Sequence, residues 1–548
     1  MLKIIPLGGL GEIGLNMMVI EYGNTGFIID AGLMFPEDYM LGIDIVIPVM
    51  DYIKQTETNI AAVVLTHAHE DHIGALPYLL KEIKIPVYGT AFTLGVVKHK
   101  IEEHGIADIS FTEIFPGKKL KFDDFEIGFL RVSHSTVDGV GVVVDTPEGI
   151  VVHTGDFKIG LGGNDNSMTD INGFAQCGAN GVLALLSDST NVETPGYTIS
   201  DQLVAESLER ICEQSSGRVI VALFASNVAR IQQIVDIAVK RQCKIIFNGR
   251  SVELVVSIAK KLGYLKIPDT MEIDIKAIGA FPPNKIMMLT TGTQGEPMSA
   301  LSRIAAGSHR HIKIEKNDTV IMSSKVIPGN ERPISNIING LYRRGANVIY
   351  EKTSKVHVSG HAYQEELKMM IRLTKPKYFI PIHGEYRHLV HHAELARTMD
   401  IDKDNIILAE NGNVISFKDG KGKISGKVAT GRVLVDGKGV GDVGRSVLKE
   451  RQMLSEDGLV VVTIIFDEET GIIVYGPEIV SRGFVFWTAT GHLLDDAQCV
   501  VLEIIEDVGL DTPNRTDIVR SKIQKALRQY FNFTIKRRPI IVPVIMEL

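Results

Sequence analysis

Cysteine is scarce in this chain of 548 residues, and the four that occur, Cys177, Cys212, Cys243 and Cys499, stand far apart. Such scatter excludes a disulfide framework and a thiolate zinc site, and it fits buried free thiols in a reducing compartment. Long hydrophobic runs are missing as well: no stretch approaches the ~18 apolar residues of a membrane span. The opening residues, Met1-Leu2-Lys3-Ile4-Ile5-Pro6-Leu7-Gly8-Gly9, lack the basic region and long apolar core of a secretory signal. A cytoplasmic protein with no membrane partner is expected. Nor is there an excess of positive charge. The formal net charge of −8 argues against a protein that coats nucleic acid non-specifically, while leaving room for a local basic channel. Apolar residues at 45% and charged residues at 23% are ordinary for a soluble globular protein. The length allows roughly three or four domains.

What the chain does have is a concentrated ligand set. Thr66-His67-Ala68-His69-Glu70-Asp71-His72 follows Ile60-Ala61-Ala62-Val63-Val64-Leu65, an unbroken apolar run that reads as a strand buried on both faces. On extended backbone, side chains two apart point the same way, so His67 and His69 can grip one cation. Asp71 and His72 fall where the chain turns into a helix over about 73–83, and they can reach a second cation beside the first. Imidazole and carboxylate without thiol suit catalytic zinc, or manganese, better than a structural zinc. A histidine-rich surface loop is the ordinary alternative, but so many ligand-type residues directly after a buried strand favour a metal site.

Short strands dominate residues 1 to about 150, at 2–7, 16–22, 26–30, 60–66, 85–88, 125–131 and 140–145, with helices only near 73–83 and 90–104. Asp30 ends one strand and is placed to brace a ligand from below. His134 and Asp156 are delivered at strand ends, where open sheets place their sites. The run Gly8-Gly9-Leu10-Gly11-Glu12-Ile13-Gly14 has the wrong spacing for a dinucleotide fingerprint and reads as a hairpin turn near the site.

From about 200 to 350 strands alternate with amphipathic helices, the pattern of a parallel α/β domain. Strands are expected at 218–224, 244–248, 285–290, 319–324 and 346–350, and helices at 201–214, 228–241, 251–262, 297–306 and 334–344. Its junctions, Phe224-Ala225-Ser226-Asn227, Thr290 to Pro297 and Ile327-Pro328-Gly329-Asn330, carry small and hydroxylic residues ahead of helices. Such junctions cradle phosphate or merely cap a helix, and three around one cleft would favour the former. Residues 351 to about 415 return to site chemistry, with Val358-Ser359-Gly360-His361 before a helix over 363–374 and His383 off the strand Tyr378-Phe379-Ile380-Pro381-Ile382. The α/β segment is therefore an insertion with ligands on both sides. Residues 416 to about 455 read as a small β extension and linker. The tail from about 456 reads as an α+β module, with a hairpin of strands 458–466 and 471–476, helices at 493–507 and 514–530, and a last strand 539–546. Oligomer contacts are its leading role. Lys536-Arg537-Arg538 is a solvated turn or a phosphate contact.

Assembled, these residues resemble the metallo-β-lactamase superfamily and, within it, the β-CASP nucleases. Carrying the resemblance are Asp30, the run His67 to His72, His134 and Asp156, and three further positions, Asp188, His361 and His383. Gly8 to Gly14, Ser187-Asp188-Ser189-Thr190-Asn191, Gly292 to Pro297, Pro381 to Arg387 and Lys536-Arg537-Arg538-Pro539 look like the bacterial ribonuclease J family, over essentially the whole chain. Ala68 departs from a frequent glycine; its methyl points away from the metals.

The resemblance implies an α/β protein: a metallo-β-lactamase αββα sandwich (1–200 and 351–415), an inserted parallel α/β β-CASP domain (201–350), the extension and linker (416–455) and the C-terminal α+β domain (456–548). It implies two zinc ions, with manganese the alternative. His67, His69 and His134 would hold one, Asp71, His72 and His383 the other, and Asp156 would bridge them. Asp71 would also orient the nucleophile, His361 would stabilise the transition state or protonate the leaving oxygen, and Asp188 would orient His361; alone, Asp188 also reads as a helix cap. The resemblance further implies metal-dependent hydrolysis of single-stranded RNA, both 5′-to-3′ from a 5′-monophosphate and internally, in mRNA decay and rRNA maturation. The terminal phosphate would sit at Ser226, Asn227 and Val228 and at His357, Val358, Ser359, Gly360 and His361. Lys325, Arg332 and Arg343 are channel-lining candidates, each also readable as a solvated surface charge. Asp44 and Asp436 are candidate ligands of a structural calcium. A homodimer or homotetramer, or pairing with a paralogous subunit, is implied. A small-substrate lactamase-type hydrolase would share the core motif without needing the insertion, His361 or His383. A non-catalytic RNA-binding subunit would be expected to have lost ligands.

Overall fold

Two twisted sheets face each other in the first of the two units into which this computed structural model divides. The first comprises Met1–Phe35 and Ile45–Val433, the second Pro36–Asp44 and Leu434–Leu548. The structure describes residues 1–160, 168–296, 298–327, 329–485, 492–510 and 512–548.

An eight-stranded sheet runs in the order Lys421–Lys427, Asn413–Lys418, Leu2–Gly8, Met17–Tyr22, Thr25–Ile29, Asn59–Val64, Val87–Gly89, Phe111–Glu113. Opposite lies a six-stranded sheet ordered Tyr378–Ile382, Val182–Asp188, Gly149–His153, Val140–Thr146, Phe125–Arg131, Lys119–Phe122. Alternation explains their packing. In Phe125–Arg131, Phe125, Ile127 and Phe129 are buried while the residues between are half-exposed, so the odd positions enter the core. There they meet Ile20, Phe27 and Val64 of the other sheet, and Phe27 stacks on Phe125 at 5.7 Å. Helices Ile171–Asn180, Gln364–Thr374 and Tyr386–Arg397 cover the back of the six-stranded sheet through Phe174, Met370, Ile371 and Ala396. Helix Ala91–Glu103 packs on the back of the other. Helix, sheet, sheet, helix is the layering expected from the resemblance.

The insertion leaves after Val182–Asp188 and returns to Tyr378–Ile382, two strands that lie side by side and parallel, with Asp188 opposite Ile382. Its own sheet is wholly parallel, in the order Lys244–Asn248, Ile286–Thr290, Val219–Leu223, Thr319–Ser323, Asn347–Ile349. The central strand Val219-Ile220-Val221-Ala222-Leu223 is apolar throughout because both faces are covered. Val219, Val221 and Leu223 enter one core, and Ile220 and Ala222 the other. Helix Val228–Arg241 buries Val228, Ile231, Ile234, Val235 and Ala238 at the spacing of one helical face and stops at Gln242 in the left-handed region. Each such side chain contributes about 1.5–3 kcal/mol of hydrophobic stabilisation.

Two readings change. Of the expected extension and linker 416–455, residues up to 427 join the main sheet: Asn413–Lys418 pairs with Leu2–Gly8 and with Lys421–Lys427, and Ile415 and Phe417 enter the main core. The same stretch also contains an unforeseen helix, Arg445–Asp457, which buries none of its side chains and so has no apolar stripe to announce it. In the second unit the hairpin strands are Leu459–Phe466 and Ile473–Arg482, longer than the 471–476 read for the latter because the register shift between Thr463 and Ile465 absorbs the Gly476-Pro477 interruption. The last strand, Ile540–Glu547, pairs parallel to the first of them, and helices Leu493–Asp507 and Arg515–Ile535 cover one face. Lys536 closes the second helix in the left-handed region, Arg537 donates to the Phe484 carbonyl and Arg538 to Asn532.

Candidate metal centre

Parallel neighbours bring the ligands to one rim. On the six-stranded sheet, Gly149–His153, Val182–Asp188 and Tyr378–Ile382 run parallel and release Asp156, Asp188 and His383 at their C-terminal ends. On the facing sheet, Thr25–Ile29 and Asn59–Val64 do the same for Asp30 and for the run His67 to His72. The strand ends at Val64, short of the expected Thr66, because Asp30 captures the backbone and side chains beyond it. The Asp30 carboxylate accepts from the Thr66 N–H and hydroxyl at 2.8 Å each and from His72 Nδ1 at 2.7 Å. A short helix, Glu70–Ile73, then turns Asp71 and His72 inward. Backbone geometry also aims His383, which has φ 52, a left-handed turn that costs a non-glycine residue energy and is held here by its surroundings.

Three overlapping sets of donors converge, each with its ligand atoms within 4.8 Å of one another: His67, His69, His134 and Asp156; Asp71, His72, Asp156 and His383; and Asp156, Asp188, His361 and His383. Asp156 belongs to all three. It lies 3.2 Å from His72 Nε2, 3.6 Å from His67 Nε2, 3.7 Å from His134 Nε2 and 3.2 Å from His383 Nδ1. Among the described residues, the buried Nε2 atoms of His67 and His383 find no hydrogen-bond partner. His69 Nδ1 and His134 Nε2 approach to 3.1 Å. Orphaned buried nitrogens and two imidazole nitrogens aimed at one point fit a divalent cation, which supplies the missing partner.

Electrostatics separates the histidines. Burial pushes His67, His69 and His134 down, His69 to about 4, leaving them neutral as ligands must be. Burial also opposes charge on His72 and His383, but Asp156, assisted by Asp71 and by Asp30 or Asp188, overrides it and lifts His383 to about 10, so a cation held by these two would have to displace their protons. Asp71 and Asp156 stay ionised despite burial because His72 and His383 face them.

Outer contacts fix the inner ones. His134 Nδ1 donates to the Gly360 carbonyl at 2.8 Å, and a methyl on Gly360 would lie 2.6 Å from His134 Cε1, so glycine is required there. His361 Nδ1 bonds Asp188 at 2.8 Å, while the other oxygen of Asp188 accepts from the Thr190 N–H and hydroxyl at 2.9 and 2.7 Å. Asp188 thus closes a local turn and orients His361 at once. Sequence reasoning overlooked Asn16, whose amide meets the Asp71 carbonyl at 3.0 Å and His72 Nε2 at 3.2 Å. It overlooked Glu366 too, a buried carboxylate accepting from Ile159, Gly160, Thr198 and Tyr363. Its signal was the capping position three residues after Tyr363.

The residues expected to seat a phosphate lie at the start of one helix and on the segment that carries His361. Asn227 caps helix Val228–Arg241 through the Arg230 N–H at 3.0 Å. Ser359 accepts from Asn191 Nδ2 at 2.6 Å and from the His361 N–H at 3.1 Å, while His357 lies half-buried beside the buried Val358. The three insertion junctions follow adjacent strands, the central Val219–Leu223 and its neighbours Ile286–Thr290 and Thr319–Ser323. Gln294 ties the outer two together, donating to the Lys325 carbonyl at 2.9 Å and accepting from the Ile327 N–H at 3.0 Å. Pro297 and Pro328 lie outside the described residues. Lys325, Arg332 and Arg343 are exposed. Asp44 and Asp436 lie in the second unit. There Asp44 accepts from the Gly437 N–H at 2.8 Å and Asp436 pairs with Arg451 at 2.6 Å. Among the described residues they belong to none of the three donor sets.

A two-sheet sandwich with imidazoles and carboxylates at its rim, interrupted by a parallel α/β insertion ahead of the last histidine, defines a metallo-hydrolase of the β-lactamase fold. Family models agree along the chain: the metallo-beta-lactamase superfamily over residues 10–165, the ribonuclease J beta-CASP domain over 216–341, the Zn-dependent metallo-hydrolase RNA specificity domain over 346–408 and the ribonuclease J C-terminal domain over 446–548. Ribonuclease J2 of Bacillus subtilis is 41% identical over 547 residues, spanning 100% of this chain and 98% of that protein. Ribonuclease J of Thermus thermophilus is 40% identical over 553 residues, spanning 100% and 95%. A crystal structure of a protein of unknown function from Enterococcus faecalis V583 shares the fold, with TM-score 0.54 at 14% identity over 76% of this chain and 99% of that one. The chain belongs to the ribonuclease J family.

Proposed function

We propose that this protein is a metal-dependent ribonuclease that hydrolyses phosphodiesters of single-stranded RNA. It removes nucleotides 5′ to 3′ from a 5′-monophosphate end and also cuts internally, in mRNA decay and rRNA maturation. The observation that carries this is the sharing of Asp156 among three donor sets, with the His361–Asp188 pair beside them.

His67, His69 and His134 would hold one divalent cation, Asp71, His72 and His383 a second, and Asp156 both; zinc fits the donors, with manganese the alternative. Bound there, such cations supply Lewis acidity, lowering the pKa of water and neutralising charge on the phosphoryl oxygens. Asp71, whose side chain is 30% exposed at the rim, orients the attacking water and accepts its proton. Because Nδ1 of His361 is bonded to Asp188, Nε2 is the atom that holds a proton for the leaving oxygen. Ser226, Asn227 and Val228, with His357 to His361, seat the terminal phosphate so that the scissile bond falls at the metals. The expected assembly is a homodimer or homotetramer, or a pairing with a paralogous subunit, in the cytoplasm. Among the described residues no helix is long and apolar enough to cross a membrane.

The test is incubation of metal-loaded protein with 5′-labelled monophosphorylated RNA beside Asp71→Ala and His72→Ala variants. Stepwise release of mononucleotides by the wild type alone is expected. Wild type and variants behaving alike would remove the nuclease reading, and fragments without mononucleotides would leave only internal cutting.

A further inference from the structure

Arg230 and Lys158 are both nearly inaccessible, with side chains 2% and 5% exposed, and they share one carboxylate. Asp201 holds Lys158 Nζ at 2.5 Å through one oxygen and Arg230 Nη2 at 3.4 Å through the other, and is itself 45% exposed. Among the described residues, the second guanidinium nitrogen of Arg230 meets only the neutral Gln233, at 2.8 Å. Among the described residues, two buried cations therefore face a single, half-solvated anion. A buried charge without full compensation is costly and persists where a ligand completes it.

Placement says which ligand. Arg230 stands in the first turn of the helix that Asn227 caps, directly behind Ser226, Asn227 and Val228. Lys158 stands two residues beyond Asp156, its N–H bonded to the Ser133 carbonyl at 2.8 Å, next to His134. The pair thus occupies the ground between the metal centre and the helix N-terminus. Apart from His361, whose proton serves the leaving oxygen, the groups proposed to touch a terminal phosphate are neutral. Ser226, Asn227, Val228 and Ser359 carry no charge, and burial, reinforced by Arg230, Lys158 and Lys325, pushes His357 down to about 4. Beyond His361, the positive charge acting on that seat comes from side chains around His357, of which Arg230 and Lys158 are buried and Lys325 exposed.

Resting on the ribonuclease reading above, we propose that Arg230 and Lys158 are positioning residues that make the terminal-phosphate seat cationic, and so set the preference for a 5′-phosphate over a 5′-hydroxyl, while Asp201 limits that preference. They act through the helix turn and His357 rather than by contact.

The full-length, metal-loaded protein is assayed on one oligoribonucleotide carrying either a 5′-monophosphate or a 5′-hydroxyl, and the ratio of the two kcat/KM values is the readout. Arg230→Met is expected to lower the ratio about tenfold, chiefly through KM for the monophosphate, and Arg230→Lys to restore most of it. A merely structural role would depress both substrates together. Asp201→Asn, a near-isosteric change at a half-exposed position, is expected to raise the ratio and serves also if Arg230→Met does not fold. An unchanged ratio in Arg230→Met, or an unchanged or lower ratio in Asp201→Asn, overturns the proposal. A wild type with equal rates on both RNAs overturns it while leaving the nuclease reading intact. A wild type inactive on both overturns the reading on which it rests.

Discussion

His361 and Asp188 reach each other at 2.8 Å although 173 residues separate them, because strand Val182–Asp188 and the segment returning from the insertion meet at one rim. Asp188 engages Nδ1 of His361, leaving Nε2 as the other ring nitrogen, and, against the opposing effect of burial, raises its proton affinity. Asp188→Asn is expected to lower kcat by about 10- to 100-fold with little change in KM. Steady-state kinetics beside metal analysis decides the matter; loss of bound metal in step with activity would mean that Asp188 serves the metals instead.

Gly360 is a second point of control. An alanine methyl there would press on the His134 ring, with Nδ1 at 2.7 Å. Gly360→Ala is expected to weaken metal binding by about 10- to 100-fold, as displaced supports of ligands commonly do. Metal titration followed by calorimetry reads this directly, and wild-type affinity would show that the loop simply moves aside.

Chelation should abolish hydrolysis and lower the melting temperature by roughly 5 °C or more, since cations that bind only the folded cluster stabilise it by mass action. Readdition of zinc or manganese restores both. A chelated sample that melts like the loaded one would argue that the site forms without its cations.

Glu366 joins three segments that frame the centre: its oxygens accept from Ile159, Gly160 and Thr198 as well as from Tyr363. Glu366→Ala leaves several buried amides unpaired and should cost about 3 kcal/mol or more, with Glu366→Gln recovering part. Urea unfolding measures the difference; a cost near zero would mean that water replaces the carboxylate.

Part of the acid sensitivity should arise away from the metals, at His392. It is fully buried, packed on Phe379 and bonded through Nδ1 to Ser189 at 3.0 Å. Burial pushes it down to about 3. Its folded form binds no proton over a range where the unfolded chain, near 6.5, does. Stability is therefore unaffected above about pH 6.5, falls as pH drops below it, and levels off only below about 3. The penalty from this residue alone is about 2 kcal/mol by about pH 5. His392→Gln, which does not titrate, should flatten the pH dependence of Tm between about pH 6.5 and 5, and a parallel curve would assign the acid sensitivity elsewhere.

Much of the fold is legible locally. The central insertion strand is an unbroken apolar run, and helix Val228–Arg241 shows its stripe and its cap, because burial on both faces or on one imposes those patterns wherever they occur. Helix Arg445–Asp457 stayed hidden because it buries no side chain, and the boundary drawn after 415 cut through strand Asn413–Lys418 because its partner is the first strand of the chain.

The metal cluster divides in the same way. His67, His69, Asp71 and His72 declare themselves because neighbours on one turn of backbone must point together. Which distant residues complete the set is another matter. Asp156, Asp188 and His383 come together only because three parallel strands end side by side, a pairing made by backbone hydrogen bonds that carry no side-chain signature. Of the supports, Glu366 shows only its capping position in the sequence; Asn16 behind His72, Gly360 against His134 and the Arg230–Asp201–Lys158 ion pairs are invisible until the chain is folded, since each joins residues far apart in sequence.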